Sequence, residues 1–195
     1  MTRLARLALG FAASFSLVSI PALAAWDLDS ERSTVQFLSV KNSSVAELHH
    51  FKVVSGGIDG EGSAQITIDL DSVETLVPIR NERMREMLFE TVRFPSAQLS
   101  AKVPTDLDGM QAGDVRNVDL EVTIDLHGAS APYIAKAVVT RLADESLQVM
   151  LAEPILVRAV DFGLDGGIEM LREVAGLKTI ATSVPVDATL VFVAE

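Results

Sequence analysis

Metal binding needs imidazole, thiolate or carboxylate groups that converge on one point. This chain has three histidines and no cysteine. His49 and His50 are adjacent, and on a strand adjacent side chains point to opposite faces, so the pair cannot share one ion. The default reading is two solvated or hydrogen-bonded imidazoles, with no metal and no cofactor. A hydrolase triad is equally thin. Ser130 follows His127 by three residues in HGASAP, but the stretch is not a G-x-S-x-G elbow and no strand-turn-helix pattern surrounds it. Asp161-Phe162-Gly163 matches a kinase tripeptide without the glycine-rich loop or H-R-D sequence that gives it meaning. Glu82, Glu86 and Glu90 fall at i, i+4 and i+8, the spacing of one helical face, which reads as a solvated stripe.

The elements that would have to position any such group are strands. Ala64, Ile66, Ile68 and Leu70 alternate with Gln65, Thr67 and Asp69. The same period of two runs through 97–103 and most cleanly through 118–126, where Val118, Leu120, Val122, Ile124 and Leu126 oppose Asp119, Glu121, Thr123 and Asp125. It returns at Val184, Val186, Ala188, Leu190 and Phe192. Alternation of this kind marks a sheet with one dry and one wet face. Less regular strands are expected at 33–41, 45–54, 134–142, 146–152 and 155–162. Turns are expected at Gly56-Gly57, Asp59-Gly60, Asp108-Gly109 and Asp144-Glu145. About nine strands in one open sheet would leave long edges and a bare apolar face, so closure into an antiparallel barrel is expected.

Two segments leave this period. Around 80–90, Met84, Met87 and Leu88 fall at helical spacing among Arg80, Glu82, Arg85 and Glu86. At 168–175, Ile168, Leu171, Val174 and Ala175 form a second stripe, with Asp165 as the expected N-cap and Gly176 as the stop. The fold class is therefore all-β, with one or two short helices lying across the barrel ends.

The N-terminus carries Arg3 and Arg6, then an apolar run, then Ala22-Leu23-Ala24. This is the pattern of a cleaved signal peptide over 1–24, which implies a periplasmic domain over 25–195 with no stable membrane anchor. Cleavage removes two of the 16 basic residues and none of the 27 acidic ones, moving the net charge from −11 to −13. That sign argues against nucleic acid and against adsorption to anionic lipid headgroups. An apolar or neutral partner stays open.

A barrel of about eight strands has an interior that is either filled by side chains or just wide enough for one small ligand. The inward residues of the regular strands are Val, Ile, Leu and several Ala, and aromatic residues make up 5% of the chain. Small inward side chains favour a cavity over a solid core.

Five stretches in order along the chain, AWDLDSERSTVQFLSVK, SGGIDGEGSAQITIDL, IRNERMREMLFETVRFP, VDLEVTIDLHGASAP and VRAVDFGLDGG, resemble the YceI-like family of periplasmic, lipocalin-like barrels. Arg80, Arg85, Phe89, Phe94 and Pro95 match its basic and aromatic run, and Leu126, His127 and Gly128 match its Leu/His-Gly turn. Asn81 stands where the family has an acidic residue and Arg83 where it has a histidine, so that histidine's role does not carry over. The resemblance implies a barrel that holds a polyisoprenoid, an isoprenoid quinone or a similar amphiphilic lipid, without catalytic machinery. On that reading the chain would lie along Ile66, Ile68, Leu99, Val122, Ile124, Leu190 and Phe192. Arg80 and Arg83 would meet a polar headgroup at the mouth, or else stand as plain solvated basic residues on a helix. A lipid-processing enzyme on the same scaffold and a filled barrel without ligand are the alternatives, and the sequence leaves monomer and homodimer open.

Overall fold

The computed structural model describes residues 25–194 apart from Thr105, Asp106 and Asp108. The proposed signal segment 1–24 and the expected turn residue Asp108 lie outside the described residues.

Twelve strands run in chain order as β1 Trp26–Leu28, β2 Thr34–Lys41, β3 Val45–Phe51, β4 Val54–Ile58, β5 Ser63–Asp69, β6 Val73–Glu74, β7 Ser96–Lys102, β8 Val115–Leu126, β9 Ala129–Arg141, β10 Leu147–Leu151, β11 Ile155–Arg158 and β12 Ser183–Ala194. Two helices join them, α1 Pro78–Arg83 and α2 Asp165–Val174. Every strand pairing is antiparallel, and β12 closes the sheet by pairing with β1, Trp26 opposite Ala194 and Leu28 opposite Phe192. The last strand organises the wall because it is long. Its C-terminal half pairs with β1 and β10, while its N-terminal half pairs with β2 and β11. β1 and β2 thus share one wall position, as do β3 and β4, β5 and β6, and β10 and β11, which gives a closed barrel of eight strands. Closure removes the unpaired edges that a flat sheet of this size would expose.

Several local expectations need correction. Gly56 and Gly57 are not a turn but the middle of β4, opposite Ile66 and Gln65. Gly56 has φ +139°, and a Cβ there would stand 2.0 Å from the Gln65 carbonyl oxygen, so glycine is what lets the two backbones approach. The expected strand 45–54 is two strands, broken at Lys52, whose N–H donates to Ser72 O. The strand expected over 155–162 ends at Arg158, and Ala159–Phe162 is a 3₁₀ turn closed by Gly163 at φ +66°. The strand expected from 134 starts at Ala129.

Pro78 opens α1 at its first turn, where its missing N–H costs nothing. The helix then widens into a π-helical turn, Met84–Leu88. There Phe89 N–H reaches back to Met84 O, and both side chains are buried. In α2 the cap position is Leu164 rather than Asp165, which is the first helical residue. Gly176, at φ +63°, follows its end as expected. The two helical segments touch backbone to backbone. A Cβ on Gly167 would lie 2.6 Å from Met87 O, so α2 can sit this close only with glycine at that position.

Candidate functional site

The register of the strands decides which side chains meet inside. Ile66 stands opposite Leu99, and Leu99 opposite Ile124. Ala101 stands opposite Val122, Leu190 opposite Val149, and Phe192 opposite Leu147. With Ile68, the seven apolar residues singled out from the alternating pattern all line one cavity of about 250 Å³. Thr123, between Val122 and Ile124, is exposed on the other face.

The cavity exists because the inward positions include small side chains. Ala64, Ala97, Ala101, Ala135, Ala137 and Ala188 all line it. Leu88 and Phe89 from the π-helical turn and Leu164 and Ile168 from α2 border it at one end. Leu107, between β7 and β8, borders it at the other. Among its described lining residues only Ser100 carries a polar side chain. Ser100 is exposed and pairs with outward-facing Thr123. A wall of this kind gives a single water no hydrogen-bond partner, and apolar cavities of about 150 Å³ accept apolar guests for that reason.

Arg80 and Arg83 do not line this cavity. Arg80 is committed elsewhere: its guanidinium donates to Glu47 at 2.7 Å and to the Thr75 carbonyl at 2.6 Å. Glu47 also takes Lys41 Nζ at 2.6 Å. Lys41 and Arg80 together hold the Glu47 carboxyl below the usual carboxylate range. Arg83 sits half-buried on α1. Asn81 explains its own departure from the family pattern. Its Oδ1 accepts from Thr75 N and Thr75 Oγ1, and its Nδ2 donates to Glu74 Oε1 at 3.0 Å. An aspartate could not make that last donation. Asn81, with Lys52 and the Leu76 N–H, holds the Glu74 carboxyl down to about 2.

His49 faces inward beside Phe37, ring centroids 5.2 Å apart edge to face. It is 3% exposed, and burial with Arg80 nearby pushes its imidazole down to about 4. Among the described residues no group of three or more His, Asp or Glu is placed to hold a metal ion. The Ser130 and His127 side chains do not meet. Ser130 Oγ donates to Asp125, while His127 lies 3.3 Å from both Glu90 Oε1 and Phe162 O and packs on Phe94.

Sequence reasoning missed one constellation. Tyr133, the single tyrosine, donates its hydroxyl to Asp161 Oδ2 at 2.9 Å, and Arg158 grips the same carboxylate. A lone tyrosine among alternating alanines at 129–137 was the available signal.

The YceI-like domain profile matches residues 26–192. Among solved structures, a polyisoprenoid-binding domain from Saccharophagus degradans, described as implicated in plant cell wall breakdown, is 40% identical, with TM-score 0.86. The match covers 88% of this chain and 99% of that one. BcnA from Burkholderia cenocepacia shares the fold at 19% identity and TM-score 0.65, covering 85% of this chain and 99% of its own. The Campylobacter jejuni YCEI protein does so at 14% and 0.51, covering 75% and 84%. No curated protein matches the sequence.

Proposed function

This chain belongs to the YceI-like domain family, and from that premise we propose that it is a periplasmic carrier. On this reading it holds the hydrocarbon chain of a polyisoprenoid, an isoprenoid quinone or a similar amphiphilic lipid within its barrel. The observation that supports it best is a cavity of about 250 Å³ whose described lining is apolar apart from Ser100, whose side chain points outward. Such a surface selects for hydrocarbon through desolvation, at about 0.8 kcal/mol per buried methylene. It offers no polar group that would distinguish one head from another. The polar end of the ligand therefore stays outside the barrel.

A lipid-processing enzyme would need an ionisable group at the cavity wall. The inward imidazole of His49 stands next to Phe37 but does not line the cavity, and this favours binding over catalysis. The periplasmic location rests on the basic, apolar and Ala22-Leu23-Ala24 pattern of residues 1–24.

Solvent extraction of protein purified from its own host's periplasmic fraction, followed by mass spectrometry, tests the reading. A long-chain isoprenoid at a substantial fraction of one per barrel is expected. Extracts without any hydrocarbon-chain lipid overturn it.

A further inference from the structure

The barrel wall is not bonded equally all the way round. β9 pairs with β8 along its whole length, from Ala129 opposite Leu126 to Thr140 opposite Val115. On its other side it pairs with β10 only from Ala137 to Arg141. The last backbone bond across that boundary runs from Ala152 N to Lys136 O at 2.8 Å. Pro154 follows, and β11 pairs with β12 alone. Among the described residues, no backbone hydrogen bond crosses from β9 residues 129–135 to β11. Pro132, which has no N–H to contribute to a ladder, lies in this unpaired stretch.

Side chains bridge the seam where backbone does not. The Tyr133 hydroxyl donates to Asp161 at 2.9 Å, just beyond β11, and Lys136 meets Glu153 at 2.9 Å. Behind the seam lie Ala135, Ile155 and Val157, all lining the cavity. In front of it, Ile134 is 59% exposed, Leu156 58% and Val160 66%. The bridging charges cancel, because Lys136 pairs with Glu153 and Arg158 with Asp161, while the exposed Glu121 and Asp119 of β8, opposite Ile134 and Lys136, add two acidic groups at the seam's flank. An apolar face flanked by acidic groups, on a chain with 27 acidic residues against 16 basic ones, matches an uncharged lipid surface rather than an anionic one.

We propose that the seam between β9 and β11 is the face this barrel lays on an electrically neutral lipid surface, and that the cargo chain passes through the wall there. The proposal rests on the carrier reading. Separating β9 from β11 breaks no ladder bond and costs one tyrosine hydrogen bond, an exposed ion pair, the stacking of Tyr133 on Phe162 and the packing of Ala135 with Ile155. The helical end resists opening more strongly, since α2 and the π-helical turn meet backbone to backbone at Gly167 and Met87.

The test measures the rate at which the protein takes up a pyrene-labelled isoprenoid alcohol from phosphatidylcholine vesicles. Ile134 and Leu156 do not line the cavity, so I134E/L156E should slow uptake about tenfold or more, a change of about 1.4 kcal/mol in the barrier. Its loading at equilibrium from detergent should stay unchanged. Y133F should take up probe several-fold faster. L76E/V92E, on exposed residues beside the helical end, should behave as wild type. If I134E/L156E does not fold, the milder I134Q/L156Q replaces it. Equal rates in all variants, or slowing confined to L76E/V92E, overturn the seam while leaving the carrier reading intact. Failure of the wild type to take up probe from vesicles or detergent overturns both.

Discussion

His49 Nε2 lies 2.9 Å from Ser39 Oγ, while its Nδ1 is buried without a partner. A buried imidazole in this position is stable only when neutral, which is why its pKa falls from 6.5 to about 4. In the unfolded chain the same residue protonates first as pH drops. Stability from neutral His49 is therefore fully present above pH 6.5 and is lost between pH 6.5 and 4. The loss amounts to at most about 3 kcal/mol. Glu47 and Glu74, whose pKa values are lowered, also lose stabilisation as pH falls, so the residue is isolated by comparison. Urea unfolding at pH 7.5 and 4.5 should show a smaller pH-dependent loss in His49→Phe than in wild type. Identical losses would refute the assignment.

Val122 and Thr123 are consecutive in β8 yet face opposite sides, the first 7% exposed and lining the cavity, the second exposed. Val122→Trp should fill the lumen, displace bound lipid and cost roughly 1–3 kcal/mol. Thr123→Lys should keep its lipid and its stability. Extractable lipid per mole of folded protein decides, and equal content in both variants and wild type counts against a ligand in this barrel.

Gly166 and Gly167 are neighbours in α2 with opposite surroundings. A Cβ on Gly166 meets nothing within 4 Å, whereas one on Gly167 meets Met87 O at 2.6 Å. Gly166→Ala should therefore stabilise the protein by about 0.4–1 kcal/mol. Gly167→Ala should destabilise it by about 1–3 kcal/mol by forcing α2 off the π-helical turn. Thermal denaturation of the two variants checks the sign of each effect.

Processing at the Ala22-Leu23-Ala24 site predicts a mature chain that starts at Ala25 or Trp26. Intact-mass measurement on periplasmic material gives the answer directly, and a mass that retains Met1 contradicts the proposed location.

Sequence alone determined which side of each strand is dry, because a period of two is a property of one strand and needs no knowledge of its neighbour. The seven inward residues from Ile66 to Phe192 were legible for that reason, as was the stop at Gly176, whereas of the stripe expected on α2 only Ile168 and Leu171 are covered, Val174 and Ala175 being exposed. Tertiary structure decided everything that depends on which strand lies beside which. Arg80 looked free on a helix, but its partner Glu47 is 33 residues away in sequence, and no local pattern announces a contact at that distance. Gly56-Gly57 looked like a turn because glycine tolerates φ > 0 wherever it occurs. Only the approach of Gln65 O shows that the need is a close strand pair. The gap between β9 and β11 was equally hidden, since β10 and β11 read as ordinary strands. Their bonding to β9 depends on how far the chain diverges after Pro154, a matter of three-dimensional spacing between segments rather than of the residues in either one.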